Sequence, residues 1–423
     1  MTLDEPVTTG VGPDHRRPPI RAVWGWLTAA VTLAAAFPLA DALGRVGVAR
    51  SRRPLSDPFG IETLAMLAAA MLVAAWVFTF WSLIGSFLNV VVYRMPRGQS
   101  VVHGGSRCPS CASPIRWHDN LPIVGWLWLR GRCRACGLPI APRYPIVEAA
   151  CAALGTALYF RELVSGGTNL PGRQEDVLHG GVLRMIPDPP PALVGLYLCH
   201  TGLLCILLAW GLIAWDRQRA SARASLAVLA VAAVLPLIVP GLQPLDGAGD
   251  AAVTSLGIAR RSAITGAGGL VGLLAGGLLG WLLPRLLEGD AAGRSGLPLE
   301  RPRSIVFGLT LVGIVLGWQA AVGTATLLLA ACLVQACAWA TWPGWPTVPV
   351  EIVLVPAVFV QLCWWRQLPI LTGGWWPLAP RPAVLALPLA LAGALVAALV
   401  TITPRAGDRA AGAPHRQSPH ESR

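Results

Sequence analysis

Apolar runs long enough to cross a bilayer recur along this chain, and that repetition limits what it can fold into more than any other feature. A spanning helix needs about 20 mostly apolar residues. Runs of that kind fall near 22–40, 63–92, 145–160, 192–215, 224–239, 262–283, 304–317, 320–340, 350–365 and 382–402. With 54% hydrophobic and 13% charged residues over 423 positions, too few polar side chains remain to coat a soluble protein of this size. The expected fold is an all-α polytopic membrane protein of about ten transmembrane helices. The formal net charge of +12 does not point to nucleic acid. Many of the arginines fall in short loops between apolar runs, where they orient the spans toward a negative cytoplasmic leaflet. Membrane lipid is the expected partner, and no nucleic acid is expected.

One polar module interrupts this pattern between the second and third runs. It carries Cys108, Cys111, Cys133 and Cys136 as two Cys-x2-Cys pairs, and eight arginines from Arg94 to Arg143 against one carboxylate, Asp119. Each pair points two thiolates at one centre, and two pairs complete a tetrahedral sulfur shell suited to Zn²⁺. Four protein ligands leave no position for water, so the role expected is structural. The arginines beside the pairs (Arg107, Arg132, Arg134) favour deprotonated thiols. The other reading is two disulfides or four unrelated thiols, and the basic loop argues against disulfides because it places the module on the reducing side. The remaining six cysteines lie in apolar runs and read as packing residues.

The same stretch resembles the N-terminal domain of the bacterial prepilin leader peptidases. The resemblance is carried by GSFLNVVVYR at 85–94, both cysteine pairs, WHDNLPIVGW at 117–126, LRGRC at 129–133 and RYPIVE at 143–148. It implies a zinc-ribbon-like cytoplasmic module in a multi-pass protein of the bacterial inner membrane. It also implies a membrane aspartic-type endopeptidase that cuts the leader from type IV prepilins or type II secretion pseudopilins at the cytoplasmic face. Some members also N-methylate the new terminus with S-adenosylmethionine. On this reading 1–21 is a disordered cytoplasmic N-terminus and 22–62 an added span and loop. The N-terminal domain is 63–160, with the module at 94–144, and 161–191 is an external loop. An aspartic-protease-like membrane domain follows at 192–340, then C-terminal spans at 341–403 and a cytoplasmic tail at 404–423.

Aspartic proteolysis needs two carboxyl groups, one ionised to activate water and one protonated to polarise the scissile carbonyl. The resemblance assigns the first to Asp216, which closes the fourth run at a basic turn. The second should close a Gly-x-Gly-Asp motif shortly before GIVLGW at 313–318. Counting back from that stretch places Ile305 there instead. Three carboxylates could take its place. Asp250 ends a literal GAGD at 247–250, on the face expected to be opposite Asp216, and Asp290 and Glu300 lie in the loop before Ile305. The alternative is a catalytically inactive relative that binds prepilins or aids assembly. His200 interrupts an apolar run and reads as a histidine hydrogen-bonded to a neighbouring span.

Overall fold

The computed structural model describes residues 61–171, 190–238, 242, 258–287, 302–342, 348–372, 376 and 386–402. The expected first span, both chain ends, Asp250, Asp290 and Glu300 lie outside the described residues. The described chain is helical: α1 (Ile61–Arg94), α2 (Val124–Trp128), α3 (Arg143–Leu158), α4 (Pro191–Trp215), α5 (Ala222–Ile238), α6 (Ile258–Leu287), α7 (Pro302–Leu316), α8 (Trp318–Thr341), α9 (Val350–Cys363), α10 (Leu368–Leu371) and α11 (Ala386–Ile402). Two isolated bridges, Arg107 with Pro114 and Arg132 with Pro139, are the β pairing found among these residues. Four segments, 71–97, 191–215, 266–285 and 318–338, are long and apolar enough to cross a membrane, and α5, α7 and α9 are shorter apolar helices.

Local chemistry explains several boundaries. Pro190 and Pro191 open α4, where a missing N–H costs nothing. Gly317, at φ 90°, is the single residue between α7 and α8, a conformation that a side chain would strain. The run expected to stop near 160 continues instead as a π-helix over Tyr159–Val164, so Arg161 and Glu162 are buried rather than exposed in a loop.

Helix α6 shows how the helices pack. Its glycines Gly272, Gly276 and Gly280 recur every four residues and so share one face. A Cβ on Gly272 would run into the Gly313 carbonyl, one on Gly276 into that of Leu309, and one on Gly280 would come within 2.6 Å of the Val306 Cα. Small residues let the α6 and α7 backbones meet, as expected where van der Waals packing must hold helices together in lipid. Leu270, Leu274 and Leu278 share a different face and are 64%, 70% and 57% exposed. A leucine row left uncovered in water is an aggregation surface; against acyl chains it is at rest. This is a membrane protein.

The helix order fixes two ends. Helices α3 and α4 run antiparallel, with Arg143 at the start of one against Asp216 at the end of the other. A Cβ on Gly211 of α4 would lie 2.9 Å from the Glu351 carbonyl of α9, and one on Gly308 of α7 would meet Leu207 and Leu354. The starts of α7 and α9 therefore lie at the Asp216 end of α4. The polar module leaves α1 and enters α3 at that same end.

Candidate metal centre and active site

The module is built from two copies of one short turn. RCPSCASPI at 107–115 and RCRACGLPI at 132–140 align at an offset of 25, sharing the Arg, both Cys, the Pro and the Ile. In the first, Cys108 N–H donates to Ser113 O (3.0 Å) and Ala112 N–H to Cys108 O (2.9 Å). In the second, Cys133 N–H donates to Leu138 O and Gly137 N–H to Cys133 O, both 2.9 Å. Each turn needs a left-handed residue after its second cysteine, Ala112 at φ 55° and Gly137 at φ 69°. Glycine adopts that conformation freely, whereas alanine loses about 1–2 kcal/mol. Ala112→Gly should therefore stabilise the first turn by about 1 kcal/mol, read as slower amide exchange at 111–113.

The two turns bring all four Sγ atoms within 4.8 Å of one another, with Cys108 and Cys136 at 3.9 Å. A tetrahedron with metal–sulfur bonds of about 2.3 Å has edges of about 3.8 Å, so the set fits a metal ion. No other cluster of three or more His, Cys, Asp or Glu side chains could hold one among the described residues. Hydrogen bonds from the Ser113 hydroxyl and N–H draw the Cys111 thiol down to about 6. Cys136 is pushed up to about 11. A backbone bond from Leu138 lowers it, but burial and the neighbouring cysteines outweigh that effect. Four sulfurs this close cannot all ionise unless a cation lies among them.

Charged side chains tie the module together and to the spans. Arg134, between the second pair, donates from Nε and Nη2 to Asp119 at 2.7 and 2.6 Å. These bonds hold the Asp119 carboxyl below its usual range. The stability they give is complete above the ordinary carboxylate value near pH 4 and is lost as pH falls through the lower folded value. Asp119→Asn should thus destabilise the module fully at neutral pH, with a thermal-shift difference from wild type that shrinks below about pH 4. Arg94, the last residue of α1, spreads its guanidinium over the carbonyls of Ser100, His103, Gly104 and Gly105. Glu148, buried in α3, accepts the Ile123 N–H at 2.6 Å and anchors a residue held at φ 61°. Asn89 of α1 donates to Tyr144 O. Arg94 and Glu148 thus clamp the module to two helices, and Asn89 ties those helices to each other.

Asp216 caps the end of α4, and its Oδ1 accepts from Arg143 Nη1 at 2.5 Å; the two side chains are 31% and 29% exposed. Beside it Arg97, just past α1, donates to Gln218 Oε1 at 3.4 Å. A half-exposed carboxylate is thereby fixed at the junction of module and helices. Ile305, fully buried near the start of α7, lies at this end too, set by the stack of Phe307 on Trp210, whose ring centroids are 4.9 Å apart. Glu351 of α9, which the sequence did not single out, is a buried carboxylate in the same layer. Among the described residues no second carboxylate pairs with Asp216.

The segment that builds this junction has relatives. Residues 80–162 match the model of the Bacterial Peptidase A24 N-terminal domain. This segment resembles a peptidase A24 N-terminal domain. The chain is 51% identical over 77 residues to a "Prepilin leader peptidase/N-methyltransferase" of Myxococcus xanthus, a match covering 18% of this chain and 23% of the relative. A protein of the same name from Klebsiella pneumoniae is 49% identical over 76 residues, covering 16% of this chain and 33% of the relative. A "Type 4 prepilin-like proteins leader peptide-processing enzyme" of Escherichia coli is 42% identical over 96 residues, covering 18% and 34%. The chain thus spans about a quarter to a third of the length of these curated relatives. No solved structure matches it. The matched segment contains the four cysteines, Arg94, Arg143 and Glu148, and Asp216 lies beyond it.

Proposed function

We propose that this protein is a prepilin leader peptidase of the bacterial inner membrane, with about ten spans and one structural Zn²⁺ held by Cys108, Cys111, Cys133 and Cys136. Its substrates are type IV prepilins or type II secretion pseudopilins, cut at the cytoplasmic face. The observation that carries the reading is the Arg143–Asp216 ion pair. It joins the A24 domain to the carboxylate that the resemblance makes catalytic, on the side where the basic module belongs. In this role Asp216 activates water, Arg143 fixes its orientation, and the zinc holds the module rigid beside it. The relatives' names also include an N-methyltransferase. The proposal extends to N-methylation of the new terminus, with S-adenosylmethionine as donor and no residue assigned to hold it.

A second reading, a non-catalytic relative that binds prepilins, is favoured by Ile305, an apolar buried residue where a carboxylate belongs. Against it, Asp290 and Glu300 are the proposed substitutes, while Asp250 is expected on the opposite face. Expression in a bacterium deleted for its own prepilin peptidase separates the two. Restored processing of the resident prepilin supports the peptidase, and precursor that accumulates beside a stably inserted protein supports the binding factor.

A further inference from the structure

The end of the membrane domain away from Asp216 holds a buried ionisable pair that proteolysis does not use. Glu162 Oε1 lies 2.8 Å from His200 Nδ1, and the two side chains are 0% and 1% exposed. Glu162 stands in the π-helix that extends α3, a helical form that is rare and often found at functional sites. His200 stands in α4, sixteen residues before Asp216 and so about 24 Å from it along the helix.

The pair is part of a polar layer. Among the described residues, Glu162 Oε2, His200 Nε2, Thr201 Oγ1, Asn169 Oδ1 and both polar atoms of Gln361 are buried with no protein partner. Gln361 shares the level of Thr201. Helices α4 and α9 are antiparallel with Gly211 against Glu351, so ten residues back along α4 corresponds to ten forward along α9. Unpaired polar groups at membrane depth are costly, and ionisable ones there belong to proton and ion sites as a rule.

Other charged and titratable groups surround the pair. Arg161, next to Glu162, is buried and donates from Nε to Cys363 O at 2.6 Å. Among the described residues, Tyr159 of the π-helix, Tyr197 and Cys199 of α4 and Cys363 of α9 are further titratable groups nearby. Helix α1 presents Trp81, which donates to Tyr197 Oη, and Arg366 of the α9–α10 turn donates to Thr168 O at 3.3 Å. With Glu162 ionised, His200 donates Nδ1–H to it, and Nε2 is left as a buried base.

We propose that Glu162 and His200 form an intramembrane proton-binding site, with Nε2 of His200 as the atom that takes up the proton. The proton comes from the aqueous phase, and no bond between heavy atoms changes. Uptake converts a hydrogen bond from a neutral imidazole to a carboxylate into an imidazolium–carboxylate pair. The end of the A24 domain is then held more tightly to α4 as pH falls, and the link weakens as pH rises.

The test uses the full chain in detergent, labelled with ¹⁵N-histidine. His200 is assigned by the signal lost in His200→Gln or, if that variant does not accumulate, by removing the other six histidines in turn. The expected result is protonation of Nε2 as pH falls from about 8 to 5. The melting temperatures of wild type and Glu162→Gln, which keeps shape and hydrogen bonding, should also diverge by several degrees over the same fall. An Nε2 that stays unprotonated throughout, or a melting difference that does not change with pH, would overturn the proposal.

Discussion

Replacing Cys133 by serine should reduce bound zinc from about one ion per chain to almost none and release the module, while the membrane helices stay folded. The module has little else to hold it. Between α1 and α3 its regular structure is two short 3₁₀ turns and the five residues of α2. Its large apolar side chains are mostly outside, with Val102, Trp117, Leu127 and Trp128 all more than 60% exposed. A unit without a core gets its folding free energy from the metal, and serine neither ionises nor binds zinc as a thiolate does. The spans satisfy their own backbone hydrogen bonds in lipid and do not depend on it. Metal analysis should show the loss. Amide exchange should rise across 98–142 and remain slow in α1 and α4. Zinc content equal to wild type in Cys133→Ser, or equal protection of the module, contradicts a four-thiolate site.

Asp216→Asn should remove all measurable leader cleavage. Asparagine keeps the shape and can still contact Arg143, but it cannot accept a proton from the attacking water. Such a loss is typically at least a hundredfold, and it falls below detection where, as proposed, the second carboxylate is poorly placed. Ile305→Asp should not restore a normal rate. The site is fully buried against α6, and the residues before it, Arg301 to Ser304, supply none of the glycines of the family motif. A carboxylate placed there without partners pays for desolvation before it can act. Asp250→Asn should leave cleavage unchanged, because its loop is expected on the opposite face and carboxylates about 30 Å apart cannot share one water.

Much of the architecture was legible in the sequence, because membrane helices are written as runs. The observed ends of α1, α4, α5, α7, α8 and α9 fall within about two residues of the apolar limits. The four cysteines were legible as a set because spacing alone places thiolates. Contacts between distant residues were not legible. The Arg143–Asp216 pair spans 73 residues and the Glu162–His200 pair 38, and no local pattern announces either. Run three was cut short at Phe160 because Arg161 and Glu162 look like a loop; buried partners pay for charges that composition cannot see. Two signals were present but unused. The 25-residue repeat of the cysteine turns specifies the module's shape, and the Gly272, Gly276, Gly280 row marks the contact with α7. The glycines of GIVLGW served above only as an alignment landmark. In the fold Gly313 faces Gly272 and Gly317 makes the turn into α8.

The most direct measurement is cleavage of a full-length prepilin by the purified, zinc-loaded protein in detergent, followed by intact mass and run beside Asp216→Asn. The account predicts a product lacking the leader with wild type and unchanged precursor with the variant. Precursor left intact by both proteins, or cleavage that survives Asp216→Asn and disappears in Asp250→Asn, would contradict it.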